Sequence, residues 1–164
     1  MTDTERKNMR HRILIANNQT EKSPFRGYKT VLRRAIEAVL AHEEFEKKAE
    51  ISVSLVSEQE IRDLNRNYRS VDRETDVLSF PIWEEGEEDS VAYLGDIVIC
   101  PSVIFRQAQT FQTTYCQEMC LMVIHSTLHL LGWDHEDEEE KEKMFALQEE
   151  ILASQNLGTV KTEG

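Results

Sequence analysis

Features that define several other classes of protein are missing from this chain of 164 residues. It has no uninterrupted run of about eighteen apolar residues, so we expect no membrane-spanning helix. The first twelve residues, MTDTERKNMRHR, lack an apolar segment and include Asp3 and Glu5. That composition argues against a signal peptide and against a transit peptide. We therefore expect a cytoplasmic protein with no membrane partner.

Cysteine is scarce, and its three positions do not suggest a disulfide framework. Cys100, Cys116 and Cys120 are odd in number, and their spacing matches no known disulfide pattern. We expect reduced thiols, as is usual in the cytosol. Cys116 and Cys120 are one helical turn apart and could bind a metal ion. Free cysteine is commonly buried, however, and packing is the favoured interpretation.

Basic residues are outnumbered by acidic ones, 19 to 31, which gives a net charge of −12. This balance excludes a protein that coats nucleic acid non-specifically, because phosphate neutralisation needs a broad basic surface. Much of the acid lies in two runs, 84–89 and 136–140, which we expect to be solvated surface. Basic residues recur within 10–12, 26–34 and 62–73. A local positive cleft on an acidic body is therefore compatible with the sequence.

The spacing of apolar residues predicts four strands and about five helices. Short apolar or alternating segments predict strands at 13–16, 51–56, 77–80 and 94–100. Apolar spacing of three and four predicts helices at 24–46, from 57 toward 68, from 101 to about 110, from Thr113 or Thr114 to 131, and after 135. No repeat, linker or domain boundary interrupts the pattern. We predict a single α+β domain over 1–164 with flexible ends at 1–12 and 157–164.

Three of the five histidines fall within residues 125–135, which read HSTLHLLGWDH. His125 and His129 are four residues apart, so they project from one face of a helix. Gly132 can end that helix, which allows His135 to return toward the same face. Unpartnered imidazoles in so apolar a helix would carry a desolvation cost that a metal ion would remove. Structural histidines are the alternative, but we predict that these three bind one zinc ion and leave a fourth position for water.

A second group of polar residues lies in the segment LNRNYRSVDRETDVLSFP, at 64–81. Arg66, Arg69 and Arg73 offer guanidinium groups near the start of a predicted strand. The planar fork of arginine suits phosphate oxygens. Spacing alone nevertheless favours a surface arginine paired with Asp72 or Asp76.

These segments resemble the signatures of the YbeY family, which comprises metal-dependent endoribonucleases of ribosomal RNA maturation. HSTLHLLGWDH resembles HGxLHLxGYDH, LNRNYRSVDRETDVLSFP is similar to LNxxYRxxDxxTDVLSFP, and LGDIVI matches the family's LGDI strand. The three segments span roughly 64–135 in the family's usual order. Two positions depart from the family pattern. Ser126 replaces a glycine and adds a hydroxyl near the site, and Trp133 replaces a tyrosine and loses its phenol; neither change removes a ligand.

The resemblance implies a fold similar to the zincins, with a mixed four-stranded sheet and the HxxxH helix beneath a cleft. It implies that His125, His129 and His135 are the zinc ligands and that Arg69 is a catalytic residue. It also implies a single-strand-specific endoribonuclease that acts in ribosomal RNA processing, at the 3′ end of 16S rRNA, and in ribosome quality control. Single-stranded or loop RNA, ribosomal RNA and the ribosome would then be its partners.

The residues also bear on the reaction. A zincin protease needs HExxH, whose glutamate serves as general base, and Ser126 occupies that position here. For RNA cleavage, zinc would activate a water molecule or the 2′-hydroxyl, and Arg69 would stabilise charge on the phosphate. Asp134 would orient an imidazole or shape the turn.

Other readings of the site stay open at this stage. One alternative is a zinc hydrolase of peptides or small molecules, and another is a non-catalytic ribosome assembly factor with structural zinc. Nickel or another divalent ion is also compatible with imidazole ligands.

Overall fold

The computed structural model of the chain describes residue 2 and residues 10–20, 22–84, 86, 89–134 and 136–155. This part contains four strands and five helices, which confirms the predicted α+β composition. In chain order they are β1 (Arg12–Asn17), α1 (Tyr28–His42), β2 (Lys48–Leu55), α2 (Glu58–Arg69), β3 (Val77–Pro81), β4 (Val91–Ile99), α3 (Pro101–Phe111), α4 (Tyr115–Leu130) and α5 (Glu138–Ser154). None of these helices has the length and apolar character of a membrane span.

The four strands form one mixed sheet in the order β1-β2-β4-β3. β2 pairs in parallel with β1 and with β4, whereas β3 pairs antiparallel with β4 at the edge of the sheet. Parallel neighbours need a crossover connection, and α1 supplies it between β1 and β2. The mixed four-stranded sheet implied by the family resemblance is confirmed, and the strand order was not predictable from the residue pattern.

The two faces of the sheet bury different groups of side chains. Successive strand residues point to opposite faces, and Ile97 joins the main core whereas Val98 joins a smaller one. Helices α1, α4 and α5 contribute to the main core. The smaller core lies beneath α2, where it includes Ile61 and Leu78. Helix α2 is thereby fixed next to the edge strand β3, and its C-terminal end lies near that edge.

Helix α4 occupies the centre of the structure and is apolar on nearly all sides. It contacts α1, α3, α5, β3 and β4, which explains the lack of a polar face. The helix begins after Thr114, one of the two predicted positions, and Thr114 forms a capping box with Gln117. Cys116 and Cys120 are buried in the main core, which confirms that they serve in packing.

Several element boundaries differ from the sequence predictions. Helix α1 begins at Tyr28, after Gly27 in a left-handed conformation, and not at residue 24. Strands β2 and β4 both begin three residues before their predicted first residues, because Lys48 pairs with Val91. Strand β1 begins at Arg12, inside the segment expected to be a flexible lead. The predicted tail at 157–164, and residues 1 and 3–9 of the predicted lead, lie outside the described residues.

Candidate functional site

A cleft of about 1050 Å³ lies between β3, helix α4 and the C-terminal end of α2. Residues of α5 and of the turn after α4 also line it. Among the lining residues are four of the five predicted site residues, namely Arg69, His125, His129 and Asp134. The fifth, His135, lies outside the described residues. The structure therefore brings together in one cleft two segments that are far apart in the sequence.

His125 and His129 point their Nε2 atoms at one another across a distance of 3.0 Å. The Nδ1 atom of His125 lies 2.5 Å from Oε1 of Gln148, and Nδ1 of His129 lies 2.8 Å from the carbonyl oxygen of Trp133. A carbonyl oxygen can only accept a hydrogen bond, so each Nδ1 carries the proton. Both Nε2 atoms then present a lone pair toward the same point.

This arrangement of the two imidazoles fits a divalent metal ion. Two nitrogen lone pairs that converge at 3.0 Å are stabilised by a cation between them. Zinc binds imidazole nitrogen at about 2.0–2.1 Å, so two ligands of a tetrahedral ion lie about 3.3 Å apart. Hydrogen-bonded Nδ1 atoms are the usual companions of metal-bound Nε2 atoms. His125 and His129 thus have the spacing and the tautomers of ligands.

The chain after His129 turns as the sequence predicted. Gly132 adopts a positive φ of 100°, its N–H donates to the His129 carbonyl, and the Trp133 N–H donates to the Leu128 carbonyl. These bonds form a Schellman motif, which ends α4 and requires a left-handed residue. The same motif places the Trp133 carbonyl next to the His129 ring. Helix termination and imidazole orientation are therefore coupled.

The predicted trio of ligands is only partly defined. Within the described residues, no three side chains of His, Cys, Asp or Glu form a metal-binding group, and His135 is not among those residues. Asp134, which precedes it, is exposed and lines the cleft. At His125 and His129 the orienting contacts come from Gln148 and from the Trp133 carbonyl, and the role of Asp134 stays a prediction.

Gln148 contacts a predicted site residue, His125, and sequence reasoning did not identify it. It lies on α5 and is only 3% exposed, although a buried glutamine is uncommon. Its position is four residues after Met144 and three before Ile151, both of which are buried on the same helix. A polar residue within that apolar stripe was the available signal. Its partner, His125, was not predictable because periodicity does not identify contacts between helices.

Arg69 is the last residue of α2, and its exposed side chain lines the cleft. The expected pairing with Asp72 is wrong, because Arg62 binds Asp72 at 2.9 Å and Arg66 approaches it at 3.8 Å. The hydrogen bond from Arg62 also lowers the pKa of Asp72. No carboxylate in the described part of the chain forms an ion pair with Arg69.

The expected pairing of Arg69 with Asp76 is wrong for a different reason. The Asp76 carboxylate accepts hydrogen bonds from the Val77 N–H and from the side chains of Thr75 and Gln107. These contacts stabilise the start of β3, so Asp76 has a structural role there.

Asn65 is a second residue that the sequence analysis did not single out. Its side-chain amide donates to the backbone carbonyl of Arg73 at 3.0 Å, and its backbone carbonyl accepts from the Val71 N–H. Ser70 between them is left-handed, with φ of 60°. Asn65 thereby ties the loop after α2 back to the helix. This anchor fixes the helix end from which Arg69 projects.

The two departures from the family signature lie in different surroundings. Ser126 is fully buried, its hydroxyl has no hydrogen-bond partner among the described residues, and it does not line the cleft. Trp133 lines the cleft, and its indole N–H donates to the carboxylate of Glu43. The tryptophan therefore braces the turn after α4 against the end of α1.

Comparisons with known proteins agree with the geometry. A family model described as endoribonuclease YbeY matches residues 14–156. The chain is 41% identical over 157 residues to endoribonuclease YbeY of Thermoanaerobacter sp. (strain X514), with 89% of this chain and 98% of the relative covered. It is 42% identical over 150 residues to the protein of the same name from Caldanaerobacter subterraneus subsp. tengcongensis, with 85% and 94% covered. The solution structure of TM1509 from Thermotoga maritima is similar with a TM-score of 0.59, 33% identity and 89% of each chain covered.

Proposed function

The chain belongs to the YbeY family, and from this premise we infer that it is an endoribonuclease of ribosomal RNA processing. The observation that carries the inference within this structure is the pair of converging Nε2 atoms, 3.0 Å apart, in the same cleft as Arg69. Metal-ligating imidazoles beside a guanidinium suit a phosphodiester, which brings anionic oxygens to both groups. The name that the relatives carry describes that activity.

We further propose that the enzyme depends on a divalent ion, with zinc as the first choice. His125 and His129 would hold the ion through Nε2, and the predicted third ligand is His135. When bound, such an ion supplies a Lewis acid for a phosphoryl oxygen and lowers the pKa of water to roughly 7. Gln148 and the Trp133 carbonyl keep the two imidazoles in the tautomer that this role needs.

Arg69 would act on the phosphate itself. Arg69 lies at the end of a helix that Asn65 and the smaller core hold in place, so the backbone from which its guanidinium projects is fixed before the substrate arrives. A preorganised donor stabilises the negative charge that grows on the phosphate oxygens during cleavage. The attacking oxygen would come from water or from the adjacent 2′-hydroxyl of the RNA. The finer proposal is that the substrate is single-stranded RNA, in particular near the 3′ end of 16S rRNA, on the ribosome.

Peptide hydrolysis is disfavoured by the position of Ser126. In an HExxH protease the residue after the first histidine is a glutamate that acts next to the metal. Ser126 is fully buried in this structure and does not line the cleft. The cleft therefore has no carboxylate at the position where a zincin protease has its general base.

The proposal is tested by cleavage of a labelled single-stranded RNA with purified wild-type and variant proteins. Arg69→Ala should lower kcat/KM about 100- to 1000-fold, as is typical for loss of a preorganised donor, and His129→Ala should abolish cleavage. Arg66→Ala is the matched control, because Arg66 lies on the same helix, pairs with Asp63 at 3.1 Å and does not line the cleft. It should cleave at close to the wild-type rate.

Two results would contradict the proposal. If wild-type, Arg69→Ala and His129→Ala proteins cleave equally well, the activity belongs to a contaminating ribonuclease. If the wild-type protein hydrolyses peptides and leaves RNA intact, the alternative zinc hydrolase is favoured. Elemental analysis should find one divalent ion per chain, and an ion-free active protein would overturn the metal proposal. Co-sedimentation with ribosomal subunits tests the proposed partner.

A further inference from the structure

Tyr68 is an aromatic residue that the fold leaves exposed inside the cleft. Its side chain is 68% exposed, whereas Leu64, four residues earlier on the same helix, is partly buried against the smaller core. Tyr68 lies in the last turn of α2, directly before Arg69, and both residues line the cleft. Hydrophobic burial therefore does not explain a tyrosine at this position.

One ring contact holds Tyr68 in place without burying it. Its ring meets that of Phe80 edge to face, with centroids 5.2 Å apart and an angle of 72° between the planes. Phe80 belongs to β3 and packs against the smaller core, so it is fixed by the sheet. Such a pair contributes orientation as well as contact area. The Tyr68 ring is thus a braced aromatic surface whose larger part faces solvent in the cleft.

The charges around the cleft make such a surface useful for binding RNA. The chain has a net charge of −12, and two of the three arginines of α2 are neutralised by Asp63 and Asp72. Among the described residues that line the cleft, Arg69 is the one arginine or lysine, so attraction of phosphate within the cleft depends on Arg69. Stacking of a base on an aromatic ring supplies affinity that does not depend on charge and accepts any base.

We propose that Tyr68 stacks on one base of a single-stranded RNA whose adjacent phosphate is bound by Arg69. This inference rests on the proposed endoribonuclease function and adds a base-binding position to the same site. It also gives a physical reason for selectivity, since bases in a duplex are already stacked on their neighbours and are not available to a side chain. Phe145 also lines the cleft, but no ring contact braces it within the described residues.

The test is a binding cycle with single-stranded RNAs of about ten nucleotides, a length within the usual range of binding-site sizes. Each RNA carries a fluorophore and one abasic nucleotide at a different position. Stopped-flow anisotropy measures the dissociation constant before cleavage occurs, and gels report cleavage in parallel. In the wild-type protein, removal of one base should weaken binding roughly 5- to 150-fold. In Tyr68→Leu, the intact RNA should bind as weakly as that abasic RNA, and removal of the same base should have no further effect.

Two variants serve as controls. Tyr68→Phe keeps the ring and should retain the position-dependent loss. Tyr93→Leu removes a tyrosine that is 56% exposed but lies outside the cleft, and it should behave like the wild type. A general loss of folding would lower affinity for all RNAs alike and would not remove the dependence on one base.

The outcomes separate this inference from the proposed function. Two results overturn the stacking proposal and leave the endoribonuclease proposal intact. In one, the protein cleaves RNA but no abasic position weakens binding. In the other, the abasic position still weakens binding in Tyr68→Leu. Binding without cleavage, in which the abasic effect depends on Tyr68, supports stacking while the catalytic proposal fails. A wild-type protein that binds no RNA overturns both.

Discussion

The side-chain oxygen of Gln148 lies 2.5 Å from Nδ1 of His125 and joins α5 to the central helix α4. Gln148 is almost completely buried, so its amide has little access to water. The contact therefore satisfies a buried polar group and also sets the tautomer of an imidazole in the cleft. Packing of the last helix and the chemistry of the site thus depend on the same hydrogen bond.

Substitution of Gln148 tests this dual role. Gln148→Leu removes the acceptor, so the His125 ring can rotate and change tautomer. We expect metal affinity to fall about 10- to 100-fold, which is typical for loss of such a partner. Competition with a chromophoric chelator measures the affinity. Gln148→Glu keeps an acceptor oxygen and should retain most of the metal affinity. Equal metal affinities for the wild type and Gln148→Leu would show that Gln148 does not orient the His125 ring.

Removal of the proposed metal ion should destabilise the protein. An ion present at about 100 times its dissociation constant stabilises the folded state by roughly 2.7 kcal/mol. At about 2–4 °C per kcal/mol for a chain of this size, a chelator should lower Tm by roughly 5–10 °C in a calorimetric scan. His129→Ala should show no response to the chelator. His42→Ala, which removes an exposed histidine next to Glu43 and Glu150, should respond like the wild type.

Local patterns in the sequence predicted the central helix and its end. Thr114 is one of the two predicted first residues of the helix, and Gly132 ends the helix as a left-handed residue. These features depend on residues within one turn of each other, which is why they can be read from the chain. The spacing of His125 and His129 likewise required only helix geometry.

Contacts between distant segments were not accessible in the same way. The expected ion pair of Arg69 with Asp72 is wrong because Arg62 and Arg66 bind that carboxylate, and spacing alone does not rank three competing arginines. The contact between Gln148 and His125 joins two helices. The placement of β3 at the sheet edge depends on its pairing with β4, which residue periodicity does not encode.

Gly95 allows the close approach of β3 and β4. Its φ is 138°, and a Cβ atom there would lie 2.2 Å from the carbonyl oxygen of Phe80. Steric overlap and backbone strain should together make Gly95→Ala about 2–5 kcal/mol less stable, as measured by urea denaturation. Gly27→Ala is the matched control, because Gly27 also has a positive φ but nothing lies within 4 Å of an added Cβ. Gly27→Ala should lower the free energy of unfolding by only about 1–2 kcal/mol. Equal losses of stability in the two variants would show that the contact with Phe80 has no effect.

Glu118 should make the stability of the protein depend on pH. It is only 5% exposed and accepts a hydrogen bond from Thr113. Burial raises its pKa. The Thr113 hydrogen bond opposes this effect, the charges of Asp76 and Glu149 add to it, and the net direction is upward. A carboxyl group whose pKa is higher in the folded state than in the unfolded state binds its proton more tightly when folded. Its ionisation therefore destabilises the fold as the pH rises through the unfolded pKa toward the folded one.

Replacement of Glu118 by glutamine should remove this penalty, because the amide oxygen still accepts from Thr113 and carries no charge. We expect Glu118→Gln to have a higher Tm than the wild type at neutral pH. The difference in Tm should shrink as the pH falls. It should vanish below the ordinary pKa of a glutamate, about 4.3, where the carboxyl group is protonated in both the folded and the unfolded protein. Glu142→Gln, at an exposed position on α5, should give no such trend. If Glu118→Gln instead raises Tm by the same amount at every pH, the effect comes from packing. Loss of a charge cannot stabilise the protein at a pH where the carboxyl group is already neutral.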